Sequence, residues 1–115
     1  MSVLKKIPDT LLALLPDKVY HFKAVGASYP YVVWAEESPG ASLNADNVHA
    51  ELIMTGSVRY YTRDEYDTTV DDIQAALDAA GIANRLTQIL YDPDEDIIEY
   101  WWDWSVSCGA GEIYR

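Results

Sequence analysis

Apolar residues in this chain follow two rhythms, helical spacing and strict alternation, and the switches between them mark the elements. Leu4, Ile7, Leu11, Leu14 and Leu15 recur at helical spacing over residues 3–15. Pro8 either kinks that helix or is the first residue of a shorter one over 8–15, and Pro16 closes it in both cases. Lys18 to Val25 alternate and are rich in strand formers, and Gly26-Ala27-Ser28 reads as a turn. A second strand is predicted over 30–36, with Pro30 at its first position, where no ladder donor is lost. A polar loop follows from Glu37 to Asp46, with Pro39-Gly40 inside it.

Residues 48–62 predict one long strand. Ala50, Leu52, Met54, Val58 and Tyr60 share one face, and Glu51, Thr55, Ser57, Arg59 and Tyr61 share the other. Gly56 in its middle predicts a bulge or a sharp bend. The clearest helix runs over 68–80. Thr68 or Thr69 caps it, Asp71 and Asp72 favour its N-terminus, and Val70, Ile73, Ala76, Leu77 and Ala80 form its buried stripe. Gly81 stands where a helix-ending glycine belongs. Strands over 85–91 and 97–107 flank the acidic turn Asp92-Pro93-Asp94-Glu95-Asp96, and a loose tail runs from Cys108 to Arg115. In the last strand, Tyr100, Trp102, Trp104 and Val106 face one way, and Glu99, Trp101, Asp103 and Ser105 the other.

The element order is thus α-β-β-β-α-β-β. It predicts an α+β fold: an antiparallel, mostly meander sheet of about five strands with two helices packed on one face. The 115 residues make a single domain, 1–115. A chain of that size buries roughly two thirds of its unfolded surface.

Composition narrows the function. Nineteen acids against eight bases leave a net charge of −11, which repels nucleic acid and anionic membrane. No apolar run approaches the roughly eighteen residues of a spanning helix. The N-terminus carries Pro8 and Asp9 where a secretory leader would be apolar. With the single Cys108, this fits synthesis in a reducing cytoplasm.

Candidate chemistry is sparse. Asp92, Asp94 and Asp96 have the spacing of the first ligands of an EF-hand loop, but Ile97 stands where glycine is needed and no helix flanks them. They read as a solvated turn. His21 and His49 have no acid or cysteine at ligand spacing. Cys108 has acids rather than bases around it, which disfavours its thiolate. Gly109-Ala110-Gly111-Glu112 has no helix after it and cannot cradle a dinucleotide. No catalytic centre, metal site or cofactor is expected. Trp101, turned away from the core face, reads as an interface residue, as core if that face is covered, or as a sugar platform.

Several short patterns recur in a recognisable order: Pro30-Tyr31-Val32-Val33-Trp34, then Glu36-Glu37-Ser38, Ala45-Asp46-Asn47, and Val58-Arg59-Tyr60-Tyr61-Thr62. An acidic helix ending at Gly81-Ile82 and an aromatic final hairpin complete the series. Over residues 3–107 the chain resembles tail-completion proteins of siphophages and prophages, of the tail-terminator or minor-tail type. The Trp-rich final strand and the tail from Cys108 depart from that pattern.

The resemblance implies a non-enzymatic virion assembly component, made in the bacterial host cytoplasm and located in the virion tail. It implies a ring of this chain, commonly of six copies in such proteins, at the head–tail junction, with tail-tube and head-connector proteins as partners. A heterologous ring needs complementary edges that close. The expected contact residues are Glu36, Glu37, Asn44, Asp46 and Asn47 at the loop, and Trp101 and Asp103 on the last strand. Two other readings stand beside it. One is a small acidic adaptor, of the immunity type, that binds a basic partner. The other is a small ligand-binding or enzyme domain, which would gather titratable groups in a cleft.

Overall fold

Two stretches of alternating residues form the centre of the molecule. β3 (Glu51–Thr62) and β5 (Ile97–Gly109) pair antiparallel without a break, from Glu51 opposite Gly109 to Thr62 opposite Ile98. These contacts come from a computed structural model that describes residues 3–39, 51–109 and 113–114. β2 (Tyr31–Pro39) flanks β3, and β4 (Ala83–Asp92) flanks β5. β1 (Val19–His21) lies outside β2 and completes a five-stranded sheet in the order β1-β2-β3-β5-β4.

Two expectations about the sheet are corrected. It is mixed rather than antiparallel, because β1 runs parallel to β2, with Val19 opposite Val32 and His21 opposite Trp34. The predicted strand over 18–25 stops early. Phe22 takes a left-handed φ of 68°, and Lys23 N–H turns back to the His21 carbonyl at 2.8 Å. A three-residue strand spans only roughly 10 Å. The segment between His21 and Tyr31 is long enough to carry the chain back to its starting end. Lys18 Nζ pins that return by donating to the Ser28 hydroxyl and carbonyl oxygens, at 2.8 and 3.1 Å. The sheet is also not a meander, since β5 inserts between β3 and β4. β5 brings Trp102, Trp104 and Val106 to the core and takes the central place, whereas β4 is exposed along most of its length.

Both helices lie on one face of the sheet, as the pattern predicts. A 3-10 turn (Val3–Lys5) leads into α1 (Lys6–Leu12). Pro8 neither kinks α1 nor starts it. It is the third helical residue, still inside the first turn, where its missing N–H has no partner to lose. Leu4, Ile7 and Leu11 are buried, with Leu14 and Leu15 packed at the margin.

α2 (Thr69–Ala79) buries Ile73 and Leu77. Neither threonine caps it through its side chain. Asp67 does so instead: one carboxylate oxygen accepts the Thr69 N–H at 2.9 Å, and the other accepts the hydroxyls of Tyr60 and Thr62 at 2.7 and 2.8 Å. Burial alone would raise the Asp67 carboxyl. The hydrogen bonds from Tyr60, Thr62 and Thr69 outweigh it and hold the group below its ordinary range. The same surroundings push the Tyr60 hydroxyl up to about 12, burial first and the Asp67 bond next. Gly81, at φ 72°, ends the helix as expected. Its N–H bonds Asp78 O at 3.0 Å and that of Ile82 bonds Leu77 O at 3.1 Å, a Schellman pair over buried Leu77 and Ile82.

The core between helices and sheet joins Leu4, Ile7, Leu11, Ile73 and Leu77 to Val32, Trp34, Met54, Val58, Tyr60, Trp102, Trp104, Val106 and Cys108. Cys108 therefore belongs to β5 and the core, not to a loose tail. Gly56 makes no bulge in β3, which stays in register with β5. The irregularity is across the ladder in β2, between Glu36 and Ser38. Gly56 is small for a packing reason: a Cβ there would collide with the Ala35 carbonyl oxygen and the Trp104 ring. Trp104 then donates its Nε1–H to Ser57 O at 3.0 Å. Among the described residues, no helix is long and apolar enough to cross a membrane.

Candidate interaction surface

Among the described residues, no helix lies on the other face of the sheet. Register places its side chains in rows across the strands. Tyr20, Val33, Arg59, Trp101 and Gln88 form one row, and Tyr31, Tyr61, Glu99 and Leu90 the next. A third holds Ala35, Ser57, Asp103 and Arg85. Val33 and Ser57 are nonetheless buried, at 8% and 4% exposure. Long side chains of the same face, Arg59 and Trp101 among them, flank both in the ladder.

Arg59 is the hub. Its guanidinium carbon sits 4.0 Å above the Trp101 ring, and its Nη2 lies 3.6 Å from a Glu37 carboxylate oxygen. Among the described residues, its Nε is buried without a hydrogen-bond partner. Trp101 donates its own Nε1–H to Glu99 at 3.2 Å. Toward the β1 edge the face becomes aromatic. Tyr31 stacks on Tyr29 at 5.3 Å and on Tyr61 at 4.8 Å, and meets Tyr20 edge-on at 5.9 Å. Arg63 covers Tyr29 at 4.7 Å. Burial pushes the Tyr31 hydroxyl up to about 12, helped by Tyr29 and Tyr61, and raises Tyr61 as well. Tyr31 and Tyr61 are therefore neutral at any physiological pH. At the other end of the face, beyond the Arg59–Trp101 row, a groove of about 520 Å³ spans β2, β3, β5 and β4, lined by Glu37, Thr55, Gly56, Arg85, Asp103 and Ser105 among others.

Three of the predicted contact residues come together here: Glu37, Trp101 and Asp103. Glu37 does not start a loop. β2 continues to Pro39, and the bulge turns Glu37 toward Arg59 while Ser38 bonds Thr55 across the ladder. Trp101 is half-buried rather than free, and Arg59 covers one of its ring faces, which closes that face to a stacked sugar. Arg59 is absent from the predicted set. Its signal is its place on the polar face of the strand over 48–62, which alternation turns away from the apolar one. Asn44, Asp46 and Asn47, like His49, lie outside the described residues.

Glu36 is on the opposite face, the one that carries Val32 and Trp34. One of its oxygens pairs with His21 Nε2 and the other accepts the Tyr114 hydroxyl at 2.8 Å. His21 lies flat between Phe22 and Trp34, at 4.1 and 3.9 Å. Burial would raise the Glu36 carboxyl. A backbone hydrogen bond and those from His21 and Tyr114 more than offset it, and the group titrates below its ordinary range. With both oxygens occupied, Glu36 clasps the C-terminal segment to the sheet. In the acidic turn, Asp92 Oδ1 accepts the backbone N–H groups of Asp94 and Glu95 at 2.9 and 3.4 Å, and Asp96 accepts the Tyr91 hydroxyl at 2.9 Å. Its acids shape a hairpin. Among the described residues, no three His, Cys, Asp or Glu side chains gather as a metal site would require.

No family model and no curated protein matches the chain. Among solved structures, it is similar to a chain from the virion of a native gene transfer agent (GTA) particle. The TM-score is 0.57 at 14% identity, over 94% of this chain and 95% of that one. The likeness establishes a shared fold from end to end.

Proposed function

We propose that this protein is a non-enzymatic structural part of a phage-like virion, placed in the tail at the head–tail junction as a ring of copies. The observation that carries the reading is the whole-length likeness to a chain of a gene transfer agent virion. The series of short patterns over residues 3–107 favours the tail-terminator or minor-tail type within that class. The surface fits the role. The helix-free face presents Arg59, Trp101 and tyrosines, residue types that anchor protein interfaces, with Glu37 and Asp103 for charge registration. A net charge of −11 keeps DNA from adhering to a wall it passes.

Deletion of the gene from a producing strain tests this. Electron microscopy is expected to show tails of uncontrolled length or tails detached from heads, and mass spectrometry of purified wild-type particles is expected to find the chain. Particles of normal form in the deletion strain, with the chain missing from wild-type virions, would overturn it. The acidic-adaptor reading draws on the same net charge. It requires tight, salt-sensitive binding to a basic protein in place of particle incorporation.

A further inference from the structure

Among the described residues β1 and β4 are the edges of the sheet, and they are built differently. β1 is three residues long, ends at the left-handed Phe22 and is flanked by Lys18 and Lys23. Shortness, a conformational stop and lysines are the devices that blunt an edge. β4 has none of them. It offers ten residues, and all but Asn84 and Asp92 are exposed. Arg85 is its single charged residue before Asp92, and it contains no lysine or proline. Leu86, Ile89, Leu90 and Tyr91 expose 37%, 60%, 41% and 60% of their surface. The bulge near Thr87 is its one departure from regular pairing. A strand of this kind is a template for another strand.

Charge and length select the occupant. Acids crowd the C-terminal end of β4: Asp92, Asp94, Glu95 and Asp96 in the turn, with Asp64 and Glu65 in the hollow beside Asp96. Arg85 stands toward the other end. A parallel copy would set acid against acid. An antiparallel copy, related by a two-fold axis through the middle of the strand, turns each Arg85 toward the acidic end of its partner. It also covers ten residues with ten, which the three residues of β1 cannot do.

We propose that β4 pairs antiparallel with β4 of a second copy, so that one sheet runs through a two-fold symmetric dimer of the free protein. Main-chain hydrogen bonds supply the affinity, Leu86, Ile89, Leu90 and Tyr91 the apolar contact, and Arg85 with the acidic turn the direction. The proposal uses the edge alone and does not depend on the virion reading.

Sedimentation of the purified full chain over a micromolar concentration series tests it. The wild type is expected to reach a dimer. Ile89→Lys weakens dimerisation about tenfold or more, because it buries a charge at the seam. Leu90→Lys, on the other face of the same strand, does the same and stands in should Ile89→Lys fail to fold. Arg85→Glu weakens the dimer about tenfold, through two equivalent contacts. Arg85→Glu combined with Asp94→Lys regains most of that loss. A wild type that stays monomeric throughout the series overturns the proposal. So do folded lysine variants that dimerise like wild type, or a charge-swapped double variant no better than Arg85→Glu. A monomer whose β4 is instead taken by a strand of a tail-tube protein overturns it too, and gives the edge to a foreign strand.

Discussion

The two faces of the sheet bury apolar surface by different means. On one, Trp102, Trp104, Val58 and Tyr60 are sealed by residues from α1 and α2. On the other, no helix of the described residues lies above buried Val33 and Ser57, and the surface is a guanidinium laid on Trp101 with tyrosines stacked in a row. The first kind of cover is interlocked and cannot give way without a cavity. The second consists of long side chains that can be lifted by an incoming partner. Stability therefore resides on the helix side, and capacity for contact on the bare side.

Substitutions sharpen that contrast, beginning with the largest effect. Gly56→Ala forces a methyl into the Ala35 carbonyl and the Trp104 ring, and is expected to cost more than about 4 kcal/mol or to prevent folding. Denaturant unfolding reads the loss. Trp104→Ala, which leaves a void of indole size, costs about 3–5 kcal/mol by the same measurement.

Asp67→Ala comes next at about 2 kcal/mol, since it strands the buried Tyr60 hydroxyl and uncaps α2. Its cost depends on pH with a definite sign. The folded carboxyl titrates below its ordinary range, so its contribution is complete above the unfolded pKa, near 4, and fades as pH falls through the folded value. Wild type and variant should converge in acid, and unfolding curves at pH 7 and pH 2 check it. A gap that widens in acid would contradict the assignment.

On the bare side, Arg59→Met is expected to cost only about 1 kcal/mol, because it removes one cation–π contact and one weak ion pair while keeping the stem over the sheet. The same change should abolish incorporation into particles. If it destabilises the fold as much as Trp104→Ala does, the bare face is core and the contrast fails. Tyr114→Phe should move the melting temperature least, within about 0.5 kcal/mol, as it removes one exposed hydrogen bond to Glu36.

What could be read beforehand followed local chemistry. The stripe of α2, the helix-ending Gly81, the acidic hairpin turn and the two faces of β5 depend on neighbours within a few positions, and all are where alternation or helical spacing places them. The parallel β1 was not legible. It depends on Phe22 adopting a left-handed conformation that nothing in a run of strand formers announces. Asp67 was passed over as a cap because Thr68 and Thr69 are equally good candidates by type, and only the distant Tyr60 and Thr62 hydroxyls decide among them.

The contact surface was half legible. Trp101 and Asp103 could be assigned to the outward face by counting. Arg59 could not be joined to Trp101 without knowing that β3 and β5 are neighbours, nor Glu37 to Arg59 without the bulge.

The ladder between β3 and β5 also dictates when the protein can fold. Its nearest partners are Thr62 and Ile98 and its farthest Glu51 and Gly109, so the central seam waits until β5 has left the ribosome. Until then β3 has only β2 beside it, and its other side, including the gap above Gly56 that Trp104 will fill, stands open. The β4–β5 hairpin closes through a short turn and forms on its own timescale of microseconds; its docking onto β3 is the slow, loop-closing event.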